Sequence, residues 1–321
     1  MKTTIKEYRE NPALGSSDLR QVLKNAKKFN LIKTGQLDPT TFNMKMGQLF
    51  HCALLEPEKL EDLLYIGVPL EKALMEIVDK INTFDHVHVL DVESKRVGEW
   101  QKKKKEIEDK PNERMVTKEE WESIQLQIKN KDKIIVSQDK LDDVHKWVAK
   151  TKTLPHMADL LERGEKEETF FGEISGVPVK TRIDLLFRRG ENKIAVFEFK
   201  TIDDECTPDA CATASGREFY FMQESLQRWI LMQNGFEIEE YKFVFTSKEE
   251  WSGSGFFYHD ERSRLYGDKF VELSLEKFKH CKEKNLWLEN EYNYQENKFE
   301  FESMMEIPVY VTKKFPGMEM I

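Results

Sequence analysis

The sequence predicts an α/β fold, and three observations carry that prediction. The first is a series of strand-like segments, Lys166–Ile174, Val179–Phe187 and Lys193–Thr201, with turn chemistry between them at Ser175-Gly176-Val177-Pro178 and Gly190-Glu191-Asn192. Short connections make these an antiparallel meander, and Glu239–Thr246 reads as a further strand against the same sheet. The second is a set of amphipathic helices over residues 14–29, 44–57 and 217–235, the last closed by Gly235. The third is a charge-rich middle, residues 58–155, where Trp121, Ile124, Ile128, Ile135, Leu141, Val144 and Val148 recur at helical spacing. It predicts a helical insertion or arm. The expected organisation is N-terminal helices over 1–57, the insertion over 58–155, the sheet-bearing core over 156–290 and a tail over 291–321.

Each helix is justified locally. In 14–29, Ser16 or Ser17 serves as N-cap, Asp18 suits the first turn, and Leu19, Val22, Leu23 and Ala26 form the apolar stripe. Ser17 there either helps to hold a phosphate or, more simply, only caps the helix. In 44–57, Met46, Leu49, Phe50, Ala53 and Leu54 supply the buried face, and Pro57 ends the helix. The polar stretch Asp203–Gly216 reads as a loop.

Composition bounds the function. The chain has 321 residues, 39% hydrophobic and 34% charged, as expected of a globular protein with a polar surface. No apolar run reaches the roughly 18 residues of a membrane-spanning helix. The opening MKTTIKEYRENPALG has no signal-peptide core, so the cytoplasm is the expected compartment. Cys52, Cys206, Cys211 and Cys281 include no CxxC pair and read as reduced core or loop thiols rather than a metal cluster. A net charge of −9 argues against a protein that coats DNA, but not against an enzyme that grips it in a local groove. The run Lys102–Lys105 is either a backbone-phosphate contact or, more simply, a solvated helix face.

The chemistry concentrates in Thr181–Thr201. Strand alternation turns Glu198 and Lys200 the same way, among the apolar Val196, Phe197 and Phe199. Asp184, on the preceding strand, reaches the same edge. Charges in so apolar a strand are expensive to bury without a purpose. Two carboxylates hold a hard divalent cation, and a lysine beside them orients or deprotonates a water. The competing reading is an edge strand with solvated charges or an ordinary ion pair. Lys180, Arg182 and Asp184 share a strand face, so Arg182 meets either a phosphate or an acid.

Asp184 followed by Glu198-x-Lys200 resembles the PD-(D/E)XK nuclease superfamily. GSSDL, then MKMGQLFHCALLEP, resembles its RecE-type (exonuclease VIII-like) branch, which has a Ser-x-Leu helix start and a Gly-x-x-x-His helix; Gly47 and His51 fit that spacing. The likeness runs from about Leu14 to Trp287, with Lys279–Trp287 resembling the family's late helix, and it covers residues 58–155 poorly. It implies a central mixed sheet flanked by helices. It implies a Mg2+ or Mn2+ site made by Asp184, Glu198 and the Phe199 carbonyl, with His51 and an acid of the first strand. Glu168 matches that acid best, and Glu173 is its competitor. Gly47 would let the His51 helix approach the sheet closely. Gln223 matches a family glutamine, but Gln227 stands where the family has tyrosine, which leaves Tyr220 or Trp229 as the aromatic substitute. Arg182 and Arg217 are further candidate DNA contacts.

The function implied is a metal-dependent exonuclease that resects linear double-stranded DNA, 5′ to 3′, for recombination of the phage or prophage type. It would act as a homo-oligomeric ring beside a single-strand annealing protein. The alternatives are an endonuclease on the same core and a catalytically silent DNA-binding or host-interaction protein.

Overall fold

A computed structural model of the chain describes residues 3–67, 70, 72–84, 86–90, 102, 105, 110, 113–287, 292, 293, 298 and 299. Half of Lys102–Lys105 and most of the tail over 291–321 lie outside these residues. The chain divides into two compact units: Met1–Leu55 with Trp147–Ile321, and the inserted Glu56–Lys146.

The first unit opens with four helices: α1 (Ile5–Glu10), α2 (Ser16–Lys24), α3 (Ala26–Lys33) and α4 (Phe42–Leu55). The helix expected over 14–29 is two. Asn25 leaves helical backbone, ends α2, and its side-chain oxygen accepts the Lys28 N–H at 2.7 Å to start α3. The N-cap of α2 is Gly15 rather than Ser16 or Ser17. Asp18 Oδ2 accepts the Gly15 N–H at 3.0 Å, which places the serines inside the first turn.

Five strands follow, β1 (Glu165–Ile174), β2 (Val177–Arg188), β3 (Lys193–Ile202), β4 (Glu237–Ser247) and β5 (Ser254–Phe257), and they lie side by side in chain order. β1, β2 and β3 form the expected antiparallel meander. The β1–β2 turn is tight because Ser175 and Gly176 both take left-handed backbone, φ 51° and 77°. β3 and β4 are parallel, and β4 and β5 antiparallel, so the sheet is mixed. Parallel neighbours require a crossover. It is made by α5 (Pro208–Glu218) and α6 (Tyr220–Gln233); α7 (Glu261–Lys284) follows β5.

The stretch read as a loop therefore contains α5. Thr207 caps it, accepting the Ala210 N–H, and Pro208 fills the first helical position, where its missing N–H costs nothing. Phe219, left-handed at φ 59°, breaks the helix expected over 217–235 into α5 and α6.

β2 and β3 are buried on both faces, which is why they read as continuous apolar runs rather than alternating ones. One apolar cluster joins Leu19 and Phe29 to Val179, Met222, Leu226, Ile230 and Leu275. A second joins Ile183, Leu186, Val196, Leu231, Phe243 and Phe245. Trp287 packs on Phe29 and Phe278, at ring distances of 5.6 and 6.2 Å.

The inserted unit has helices, among them Lys118–Lys129, and also two parallel strand pairs. Leu64–Ile66 runs beside Ile134–Val136, and His86–Leu90 beside Glu113–Thr117. Ile134-Ile135-Val136 is β-branched and too short to show a period, so helical counting absorbed Ile135. Val116, Ile77 and Ile124 are buried in the unit's own core.

Candidate active site

The site begins where two strands part. The β2–β3 ladder runs from Arg188/Ile194 to Leu185/Phe197. At the next position the side chains of Asp184 and Glu198 take over. Asp184 Oδ2 accepts the Phe199 N–H at 2.8 Å, and Glu198 Oε1 accepts the Asp184 N–H at 3.3 Å. Each carboxylate satisfies a backbone donor that the fork would otherwise leave unpaired in a dry setting. Both are buried, Glu198 to 1% exposure.

His51 arrives on α4. Its Nε2 lies 2.9 Å from the Phe199 carbonyl, which can only accept, so Nε2 carries the hydrogen. Nδ1 is thereby aimed at the acids, 3.4 Å from Asp184 Oδ1 and 4.0 Å from Glu167 Oε1. Ligand atoms of His51, Glu167 and Asp184 all lie within 4.8 Å of one another. Two carboxylate oxygens and one imidazole nitrogen at this spacing fit a hard divalent cation. Gly47 does not make the close approach expected of it: a Cβ built there meets nothing within 4 Å.

The third member is Glu167, where the sequence pointed to Glu168. Strand register decides the matter. Glu168 stands opposite Ile183, on the apolar side, and the same register sets Glu167 opposite Asp184. Glu167 adopts left-handed backbone, φ 57°, in mid-strand, a conformation that costs a non-glycine residue about 1–3 kcal/mol and is typical of functional positions. Its other oxygen pairs with Arg182 Nε, one diagonal step along β2. Arg182 thus meets an acid. Glu173 lies near the hairpin end of β1, where its N–H and carbonyl bond the Gln233 side chain.

Glu198 organises rather than waits. Oε1 takes the Gln227 amide at 3.0 Å besides the Asp184 N–H; Oε2 takes Lys200 Nζ at 3.1 Å and the Gln223 amide. Gln223 and Gln227 reach it together because they lie one turn apart on α6. Gln227 is held in turn by the Tyr241 hydroxyl, which donates to its Oε1. The aromatic residue beside the lysine is Tyr220, its ring centre 5.3 Å from Lys200 Nζ, whereas Trp229 packs with the cluster around Leu226. Glu167 and Tyr241 are the residues that sequence reasoning missed. Gln227 stood out only as the occupant of the family's tyrosine position, one turn after Gln223.

The charges follow from burial and neighbours. Burial opposes ionisation of Asp184, yet His51, Lys200 and the Phe199 N–H outweigh it and hold the carboxyl at about 2. Burial and the Asp184 charge push Glu198 up to about 7, against the pull of Lys200 and Gln227. The same two causes raise Glu167. Burial works against a charged His51, but Asp184 and Glu167 raise it overall. Lys200 is likewise raised by Glu198 and Asp184 despite burial, so it is an ammonium. A site with three acids whose protons are held this unevenly gains most from a cation that replaces those protons.

The other candidate contacts lie elsewhere. Ser17 is exposed on the first turn of α2. Arg217 is exposed at the end of α5, with its Nε 3.2 Å from Glu218 Oε1. None of the four cysteines, all of them among the described residues, is in a disulfide. Among the described residues, no helix is long and apolar enough to cross a membrane.

A family model described as a PDDEXK-like domain of unknown function matches residues 15–291. No curated protein matches the sequence. Among solved structures, the chain resembles a crystal structure from Eubacterium rectale described as a "Putative exonuclease". That likeness covers 99% of each chain at 11% identity, with a TM-score of 0.56. A second structure, that of SSO0001, aligns over 63% of this chain and 83% of its own at 13% identity, and its TM-score of 0.28 carries no weight. At these identities the likeness is one of fold.

Proposed function

The chain belongs to the PDDEXK-like family, and from that premise we propose that it is a metal-dependent exonuclease acting on the ends of linear double-stranded DNA. The observation that carries this reading is the convergence of His51, Glu167 and Asp184 on one point, with Lys200 and Glu198 beside it. Bound there, Mg2+ or Mn2+ would polarise a scissile phosphate and acidify a water. Asp184, Glu167 and His51 Nδ1 are its candidate ligands. Lys200, 3.8 Å from Asp184 Oδ2 and already protonated, suits donation to phosphate oxygens better than proton abstraction. Glu198 keeps that lysine and Gln223 in place.

The description of the Eubacterium rectale protein supports dependence on a free end. Resection from the 5′ end, a ring of subunits around the duplex and an annealing partner belong to the same reading. The test is digestion of end-labelled linear duplex beside a covalently closed circle, with and without Mg2+ or Mn2+. Metal-dependent loss of the linear DNA alone supports the reading, and the surviving label gives polarity. Cutting of the circle makes the protein an endonuclease. A folded protein that binds DNA and cuts neither is a silent binder.

A further inference from the structure

A second buried polar cluster lies behind the carboxylate site. Glu224, on α6, is 1% exposed, and its two oxygens have different partners: Oε1 takes Arg228 Nε and Oε2 takes His259 Nδ1, each at 2.7 Å. A carboxylate only accepts, so Nδ1 carries the hydrogen. His259 Nε2 then meets the Ser215 hydroxyl, 2.7 Å away on α5.

The order Ser215–His259–Glu224 is that of a hydrolase triad, but a triad also needs N–H groups at the serine for an oxyanion. Ser215 sits within α5, whose backbone amides bond helix carbonyls (the Phe219 N–H goes to Ser215 itself), and it is 6% exposed. The cluster therefore acts on its own scaffold. Burying the Glu224 carboxylate costs several kcal/mol unless it is paired, and here it joins α5, α6 and the segment leading into α7.

α6 is the helix held. Gln223 and Gln227, which flank Glu224, both donate to Glu198. Behind α6, α7 comes so near that a Cβ on Gly267 would stand 2.3 Å from the Phe221 carbonyl and from Ser225 Oγ. With α7 pressed against α6 there, the Glu224 network fixes how α6 presents its glutamines.

We propose that Ser215, His259 and Glu224 form a positioning network for the nuclease reaction, in which His259 sets the pose of Gln223 and Gln227 on Glu198. This rests on the nuclease reading above. The test uses the full chain, labelled at glutamine side-chain nitrogens. The signals of Gln223 and Gln227 are assigned from Gln223→Ala and Gln227→Ala, and initial rates are read on linear duplex with Mg2+ or Mn2+. His259→Ala should move both amide signals and lower the rate at saturating DNA about tenfold to a hundredfold, the range for loss of an outer-shell partner. KM should hold, and added imidazole should restore part of both losses. If His259→Ala does not fold, His259→Gln and Ser215→Ala carry the test. The first should keep the signals near their wild-type positions and the second should move them. Unmoved signals in His259→Ala or Ser215→Ala, or moved signals at full rate, overturn the proposal. Because the spectra need no cleavage, an inactive wild-type protein with shifted signals in His259→Ala overturns the nuclease reading and leaves the geometric link standing.

Discussion

His51 and Phe199 are joined by a hydrogen bond of 2.9 Å from Nε2 to the main-chain oxygen, and this bond aims Nδ1 at Asp184. An imidazole steered in this way offers Nδ1 in a fixed tautomer to a cation held between the acids. His51→Gln should weaken Mn2+ binding by about tenfold or more, read by calorimetry on the metal-free protein. The melting temperature should move little. Unchanged affinity would remove His51 from the ligand set.

Register sets Glu167, and not Glu168, opposite Asp184. Glu167→Gln should therefore cost about tenfold or more in metal affinity and rate. Glu168→Gln should leave both within about threefold of wild type. The reverse order in a titration of rate against Mn2+ would restore the assignment made from the sequence motif.

Lys200 is charged and lies between two acids. Lys200→Ala should lower cleavage by about a hundredfold or more, the loss seen when a single preorganised donor is removed. Circular dichroism should show a folded protein. Cleavage at the wild-type rate would sink the lysine's assignment.

The pH dependence of metal-free stability has a definite sign. Glu198 holds its proton to about pH 7 in the folded protein, above the ordinary value of 4.5. Between those values the folded state binds more protons than the unfolded one, so stability falls as pH rises through about 7. The raised His51 pulls in the same direction. Metal-free protein should lose melting temperature between about pH 5 and about pH 8, and Glu198→Gln should lose less. Equal slopes in the two proteins would show that Glu198 is already ionised.

Gly267→Ala tests the helix contact behind the site. The added methyl would meet a carbonyl of the neighbouring helix at 2.3 Å, and backbone yields poorly. A loss of about 1–3 kcal/mol in chemical denaturation is expected.

Much of this was legible in the sequence because burial on both faces writes β2 and β3 as unbroken apolar runs in which Asp184, Glu198 and Lys200 stand out. The His51 helix was legible through its stripe of Met46, Leu49, Phe50 and Ala53. What escaped depends on pairing. Glu167 and Glu168 are adjacent acids, and only the partner strand says which of them faces Asp184. Tyr241 comes from a strand that joins the sheet after a crossover of two helices, so no local pattern links it to Gln227. Asn25 and Phe219 break helices through backbone conformations that periodicity does not record. The inserted strands pair in parallel with segments far along the chain, and short runs without alternation give no period to count.

The His51–Phe199 bond spans 148 residues, whereas Asp184 and Phe199 are 15 apart on one hairpin. Contacts so different in range form at different times, because closing the longer loop costs more entropy and waits on more of the chain. The acid pair can assemble as soon as β2 and β3 zip together. The histidine, although synthesised first, must wait for the sheet that receives it. Cation capture should thus be among the last properties the chain acquires as it folds, and recovery of Mn2+ binding should lag recovery of strand signal in refolding.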